Sequence, residues 1–158
     1  MTLTPLADIG PELTAEQRER YARQIRLPGF GEEGQRRLSA GKVLVIGAGG
    51  LGSPALLYLA AAGVGTIGII DDDVVDLTNL HRQVIHTTTH VGMPKTASAA
   101  QAVRALNPDV QVVEHTCRLT EGNAQDIIGR YDLVLDGTDN FLTRYTVDAA
   151  CSEVSVPE

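Results

Sequence analysis

The sequence predicts an α/β chain in which a mostly parallel sheet is covered by helices on both faces and preceded by N-terminal helices. Three observations predict it. Short apolar, β-branched runs recur at Lys42–Ile46, Thr66–Ile70, Val110–Val113 and Leu133–Leu135. Their apolar character is continuous rather than alternating, as in strands buried on both faces. Helix-patterned segments separate them, so each strand feeds a helical crossover. Right-handed crossovers make this a Rossmann-like doubly wound fold, whose ligand crevice lies beyond the carboxyl ends of the strands.

Each element has a local cause. Residues 1–13, with Pro5, Gly10 and Pro11, read as a flexible leader, and residues 14–158 as one domain. Thr14 with Gln17 three residues later is a capping box. It opens a helix expected to run to about Leu27 and to stop before Pro28-Gly29. Tyr21 and Ile25 share its docking stripe, and Arg20 and Arg23 fall away from it. A second helix covers Glu32–Ser39 and ends at Gly41. The first strand leads through a glycine-rich turn into a helix from about Leu51 to Ala62, terminated by Gly63 and Gly65. The second strand ends in Asp71-Asp72-Asp73. The irregular stretch after it is expected to hold one short helix near Asn79–Gln83. Pro94 suits the first turn of the next helix, whose apolar face is Ala99, Val103 and Leu106 and which ends at Asn107-Pro108. The third strand, a helix at Ala124–Ile128, the fourth strand, the turn Asp136-Gly137-Thr138-Asp139-Asn140 and a last helix follow. Another strand begins at Val154–Glu158, so the sheet is expected to be incomplete in this chain.

Composition narrows the function. The 158 residues suit one domain, and 43% hydrophobic residues can build a core. The net charge of −7 argues against a nucleic-acid partner. The most apolar stretch, Pro54–Val64, is too short to cross a membrane. Met1–Leu13 lacks the Lys or Arg of a signal peptide, which reads as cytoplasmic. Cys117 and Cys151 form no Cys-x-x-Cys pair, so no zinc site is read and two inert thiols are expected. His81, His86, His90 and His115 show no metal-ligand spacing, and structural or surface roles are expected of them.

The chemistry belongs at the strand ends. Gly47-Ala48-Gly49-Gly50-Leu51-Gly52 matches G-x-G-x-x-G between a strand and a helix. Glycines let a phosphate approach the backbone, and free N–H groups with the helix dipole favour the anion. Asp71 follows at about the ribose-binding spacing of 20 residues, with Asp72 and Asp73 as close competitors. To this point an NAD, FAD or ATP site fits equally. Asn79-Leu80-His81-Arg82-Gln83 then places Arg82 near the crevice. Lys95 lies in the first turn of a helix, where the dipole disfavours a cation unless a polyphosphate is close. Each of the two alone reads as ordinary surface charge as readily as a ligand. A triphosphate recruits Lys, Arg and a metal where a dinucleotide pyrophosphate is often held by backbone alone. Asp139 can hold Mg²⁺, or Asp139 or Asn140 can be a helix N-cap. Asp136 reads as structural.

Together these stretches resemble the MoeB/ThiF adenylyltransferase family, related to ubiquitin-activating enzymes. The matching residues are Arg20–Ile25, Gly47–Gly52, Asp71–Asp73, Asn79–Gln83, Val91–Lys95 and Leu133–Asn140. The resemblance implies ATP-dependent adenylation of the C-terminal glycine of a small ubiquitin-like sulfur-carrier protein ending in Gly-Gly, in molybdopterin- or thiamine-type sulfur transfer. It implies Gly47, Gly49, Gly50 and Gly52 around the nucleotide and Asp71 and Asp73 at the ribose side. Asn79, Arg82 and Lys95 would hold the phosphates, Asp139 would hold Mg²⁺, and Asn140 would belong to the cofactor site. Arg23 is similar to the family's arginine that reaches into a partner subunit's site, which implies a homodimer. The family's zinc-binding Cys-x-x-Cys pairs, crossover-loop cysteine and carrier-holding strands are not in this sequence, so a truncated chain is expected and structural zinc belongs only to the absent part. Two other readings compete: an NAD(P)- or FAD-binding oxidoreductase, and a non-catalytic half-enzyme that scaffolds a partner.

Overall fold

The computed structural model describes residues 4–158, so the first three residues of the expected leader lie outside it. The elements run α1 (Ala15–Arg20), α2 (Ala22–Ile25), α3 (Gly31–Ala40), β1 (Lys42–Ile46), α4 (Gly52–Ala62), β2 (Thr66–Ile70), α5 (Lys95–Leu106), β3 (Gln111–His115), α6 (Ala124–Ile128), β4 (Leu133–Asp136) and α7 (Phe141–Val154). The four strands form one parallel sheet in the order β3-β2-β1-β4. Register aligns Ile46, Ile70, His115 and Asp136 in one row, so all four strands end together. The chain steps outward from β1 through β2 to β3, then returns to place β4 on the other side of β1. A ligand crevice is expected at that reversal.

Alternation within the strands divides the core in two. Val43 and Val45 of β1, with Ile67 and Ile69 of β2, pack on one face against Leu56 and Ala60 of α4 and Val103 of α5. Leu44, Ile46 and Ile70 pack on the other against Ile128 of α6, Tyr131, and Val147 and Cys151 of α7. Each fully buried Leu or Ile contributes roughly 1.5–3 kcal/mol, which fixes the strands in register and hence the level of the crevice.

Three sequence expectations need correction. The helix expected from Thr14 to Leu27 keeps its capping box, in which Thr14 and Gln17 exchange bonds, but it breaks at Tyr21 into α1 and α2. Tyr21 is 3% exposed, and its hydroxyl accepts a bond from Asn107 Nδ2 at 2.8 Å. Driving that ring into the core costs the helix its straight path. The helix expected at Asn79–Gln83 is instead a single 3₁₀ turn at Leu77–Asn79, because Asp76 accepts from the Thr78 N–H and hydroxyl and closes a tighter turn. The third strand runs on to His115, two residues past its expected end.

The described part of the leader has no helix or strand but is tied down. Leu13 is buried, Arg36 Nε donates to the Gly10 carbonyl at 2.9 Å, and Arg37 Nη1 to that of Ala7 at 3.0 Å. At the other end, Val134 N–H of β4 donates to the Pro157 carbonyl at 2.9 Å, so the tail lies beside β4 where a further strand was expected.

Candidate functional site

An open crevice of about 950 Å³ lies across the carboxyl ends of the strands. It is walled by the glycine turn after β1, the Asp71–Asp73 segment after β2, the 117–122 loop after β3 and the turn after β4. Of the twelve residues singled out from sequence, Gly47, Gly49, Gly50, Asp71, Asp73, Asn79, Arg82, Lys95, Asp139 and Asn140 line it, and Arg23 and Gly52 do not.

The glycine turn owes its shape to two positions. Gly47 has φ +88, a left-handed conformation that favours glycine. Gly52 opens α4 so close to the turn that a Cβ there would sit 1.8 Å from the Gly47 carbonyl oxygen. Gly52 therefore acts from behind the crevice rather than in its wall. Among the described residues, the N–H groups of Gly49, Gly50 and Leu51 have no acceptor, and nothing would crowd a Cβ at Gly50 closer than the Arg82 stem at 3.9 Å. Unpaired N–H groups ahead of an eleven-residue helix form a cradle suited to phosphate oxygens.

Cations and carboxylates surround this cradle. Lys95, in the first turn of α5, is held by Asp73: Nζ to Oδ2 is 2.9 Å, and the Lys95 N–H donates to the Asp73 carbonyl at 3.0 Å. Its side chain is only 7% exposed. Arg82 is exposed, leans over Gly50 and donates to the Thr78 carbonyl at 3.2 Å. Asn79 uses its carbonyl oxygen to accept from Asp76 N–H, which anchors the 3₁₀ turn that delivers Arg82. Asp71 accepts from the Ala48 N–H through Oδ2 at 2.8 Å and from the Asp73 N–H through Oδ1 at 2.9 Å. Each carboxylate oxygen keeps a further lone pair, so Asp71 braces the turn and can still accept from a ribose hydroxyl.

After β4 the roles separate. Asn140 is the N-cap of α7, accepting from Leu142 N–H at 2.9 Å, and Asp136 accepts from the Thr138 N–H and hydroxyl. Asp139 caps nothing: it is exposed and has no donor among the described residues. A free carboxylate beside the phosphate cradle is a hard oxygen ligand and fits Mg²⁺. The three carboxylates of Asp71, Asp72 and Asp73 also lie within 4.8 Å of one another, but Lys95 and Arg118 occupy two of them.

Sequence reasoning missed Arg118 and the 117–122 loop. Arg118 reaches Asp72 at 3.1 Å and lines the crevice. Extending the third strand to His115 would have placed this loop at a strand end. Gln83 was also passed over; it is 5% exposed at the crevice wall beside Gly49, with Oε1 unpartnered.

Arg23 lies elsewhere. It is exposed on α2, and its neighbour Gln24 donates to the Ala62 carbonyl at 2.7 Å, at the end of α4 remote from the glycine turn. Leu51 just before α4, and Tyr58 and Ala61 on its outer face, are exposed, and the helix carries no charged residue.

Burial neutralises two imidazoles. Burial pushes His86 below the ordinary histidine value, with Lys95 and His90 adding to the effect and the Ala48 carbonyl and Asp71 opposing it. Burial, then Arg130, does the same to His115. The native chain thus binds fewer protons than the unfolded chain just below pH 6.5, so stability rises with pH through that window. The melting temperature is expected to be level above about pH 7 and to fall as the pH drops below about 6.5; a melt that rises on acidification over that range would contradict it. Burial, with Glu158 and Asp148, pushes the Cys151 thiol up to about 11, which leaves it unreactive at neutral pH.

The chain matches known proteins along nearly its whole length. The model of the ThiF family covers residues 21–157. A probable adenylyltransferase/sulfurtransferase, MoeZ, of Mycobacterium tuberculosis is 54% identical over 94% of this chain and 38% of its own length. The sulfur carrier protein adenylyltransferase of Thermus thermophilus is 51% identical over 91% of this chain and 53% of its own. Among solved structures, the E. coli tRNA N6-threonylcarbamoyladenosine dehydratase TcdA, in complex with ATP, superposes with a TM-score of 0.86 at 30% identity, over 91% of this chain and 59% of that one. The chain thus spans between about a third and about three fifths of these relatives. Among the described residues no helix is long and apolar enough to cross a membrane. With the glycine turn, the flanking cations and the strand order all in agreement, the chain belongs to the ThiF family.

Proposed function

We propose that this chain is the nucleotide-binding part of a cytoplasmic, ATP-dependent adenylyltransferase that activates the C-terminal glycine of a small ubiquitin-like sulfur-carrier protein. The observation that carries the reading is the convergence, on one set of unpaired N–H groups, of Lys95, Arg82 and an unengaged Asp139. The names of relatives at 54% and 51% identity support adenylation and a sulfur-carrier partner. The carrier's carboxylate attacks the α-phosphate of ATP, forming the acyl-adenylate and releasing pyrophosphate.

In this reading the N–H groups of Gly49 and Gly50 and the cations Arg82 and Lys95 orient the phosphates and offset the charge that builds at the α-phosphate. Asp71, with Asp73 beside it, faces the ribose. Asn79 and Asn140 set the turns that present Arg82 and Asp139. Asp139 would hold Mg²⁺, which when bound neutralises triphosphate charge. No side chain of this chain has to act as a nucleophile.

The reading includes a homodimer. A second copy packed by a twofold axis across the uncharged outer face of α4 buries that face against itself. Antiparallel α4 helices then carry Arg23 of one protomer toward the glycine turn of the other, which accounts for an arginine that lines no part of its own crevice.

Calorimetric titration with ATP and Mg²⁺, and separately with NAD, tests the proposal. Saturable ATP binding that depends on Mg²⁺, without NAD binding, is expected. Binding of NAD alone would overturn it in favour of an oxidoreductase. Asp139→Ala is expected to weaken ATP binding about tenfold with Mg²⁺ present and to leave metal-free binding unchanged, the loss of one charge-assisted contact. Equal loss in both conditions would remove the metal role.

A further inference from the structure

We propose that His86 sets the direction of the Gly49 N–H by donating from Nε2 to the Ala48 carbonyl, and that Ser98 and His90 satisfy its other ring nitrogen. The proposal rests on reading the crevice as a nucleotide site, but its geometry stands apart from that reading. His86 and Ser98 are 5% and 0% exposed, and none of the three residues lines the crevice. His86 is therefore a positioning residue and touches no ligand.

The proton positions follow from one fixed acceptor. His86 Nε2 lies 2.9 Å from the Ala48 carbonyl oxygen. A carbonyl only accepts, so Nε2 carries the hydrogen. In the neutral imidazole Nδ1 then offers a lone pair, which takes the Ser98 hydroxyl proton at 2.8 Å. That hydroxyl has no second proton, so His90 Nδ1, also 2.8 Å from Ser98 Oγ, must donate to it. The chain of three bonds admits a single arrangement of hydrogens as long as His86 is neutral.

The consequence lies on the far side of one peptide bond. The Ala48 carbonyl and the Gly49 N–H belong to the same planar trans unit and point in opposite directions. Holding the carbonyl toward His86 turns the Gly49 N–H the other way, and Gly49 lines the crevice with that N–H unpaired. The preceding peptide is fixed separately, by the Ala48 N–H bond to Asp71. Gly49 has no Cβ to resist a flip of the 48–49 unit, so the His86 bond is what sets its orientation.

The test compares the wild-type chain with His86→Ala, His86→Gln and Ser98→Ala, using ATP–Mg²⁺ titration, melting temperature and long-range ¹H–¹⁵N spectra of the imidazoles. His86→Ala is expected to bind ATP about tenfold more weakly, from an orphaned buried acceptor and a freed peptide. His86→Gln, whose carboxamide can still donate to Ala48, is expected to stay within about threefold of wild type, less than the loss of a whole hydrogen bond to a buried acceptor. Wild-type spectra are expected to show His86 protonated at Nε2, and Ser98→Ala to keep that tautomer, since the Ala48 carbonyl alone demands it. A folded His86→Ala with wild-type affinity, or wild-type protonation at Nδ1, overturns the proposal. If His86→Ala does not fold, an affinity for His86→Gln no better than a tenth of wild type overturns it instead. A wild-type chain that ignores ATP would sink the nucleotide reading, and the tautomer measured in that same chain would still decide whether His86 holds the turn as stated.

Discussion

An enzyme competent for adenylation will lose about a thousandfold in rate when Arg23 is replaced by alanine, and will bind ATP as before. The magnitude is that of an arginine supplied in trans to a phosphoryl centre. The split between rate and binding follows from position. Arg23 lies with α2 at the Ala62 end of α4, and its own crevice opens at the Gly52 end. It is exposed and makes no ion pair among the described residues, so stability should move by less than about 0.5 kcal/mol. ATP–pyrophosphate exchange measures the rate, and calorimetry the binding. Mixing Arg23→Ala protomers with Asp139→Ala protomers adds a sharper check. Half of the randomly formed dimers are mixed, and each has one site with both residues intact, so about one quarter of all sites are restored and activity should rise above the average of the two variants alone. No recovery after subunit exchange would show that Arg23 does not act across an interface.

Gly52→Ala is expected to damage the fold and the cradle together. The added methyl would lie 1.8 Å from the Gly47 oxygen and 2.9 Å from its carbon. Both are backbone atoms at the end of a strand paired on two sides, so neither can swing away as a side chain would. Relief requires moving α4 off the sheet, which strips Leu56 and Ala60 from the core, or refolding the turn, which destroys the cradle. A loss above about 4 kcal/mol is expected. At about 2–4 °C per kcal/mol for a chain of this size, the melting temperature should fall by about 8 °C or more, together with ATP binding. A variant that melts within about 2 °C of wild type would show that the turn is softer than its contacts imply.

How much of this was legible beforehand depended on burial. β1 and β2 were read to their last residues because Lys42–Ile46 and Thr66–Ile70 are continuous runs ended by glycine or aspartate. β3 is an edge strand with half-buried residues, and its polar end, Glu114-His115, carries no hydrophobic signature. Stopping it at Val113 hid Arg118. The break at Tyr21 could not be read either, since it is made by Asn107, 86 residues away. Local pattern does not encode such a contact. Among site residues, strand ends, glycine spacing, the cation in the first turn of α5 and the family resemblance together brought forward ten that meet in the crevice. Glycine spacing treated Gly52 as a phosphate neighbour when its work is to let a helix and a turn approach. It gave no place to Arg23, which resemblance alone had brought forward. Whether Asp139 or Asn140 caps the last helix stayed open until the hydrogen bonds of Asn140 assigned it the cap.

The strand order also shapes how the chain assembles. β1, β2 and β3 are consecutive neighbours, joined through connections that fold close to home. β4 must return to β1 across a separation of 90 residues, where Lys42 N–H donates to Asp132. Long-range pairing carries the larger loop-closure cost and comes late. The crevice straddles that last seam, between the glycine turn of β1 and the Asp139 turn of β4. Until β4 pairs with β1 the site therefore stays open along one side. A nucleotide bound across the seam would grip both halves and draw part of its stabilisation from holding the final strand closed.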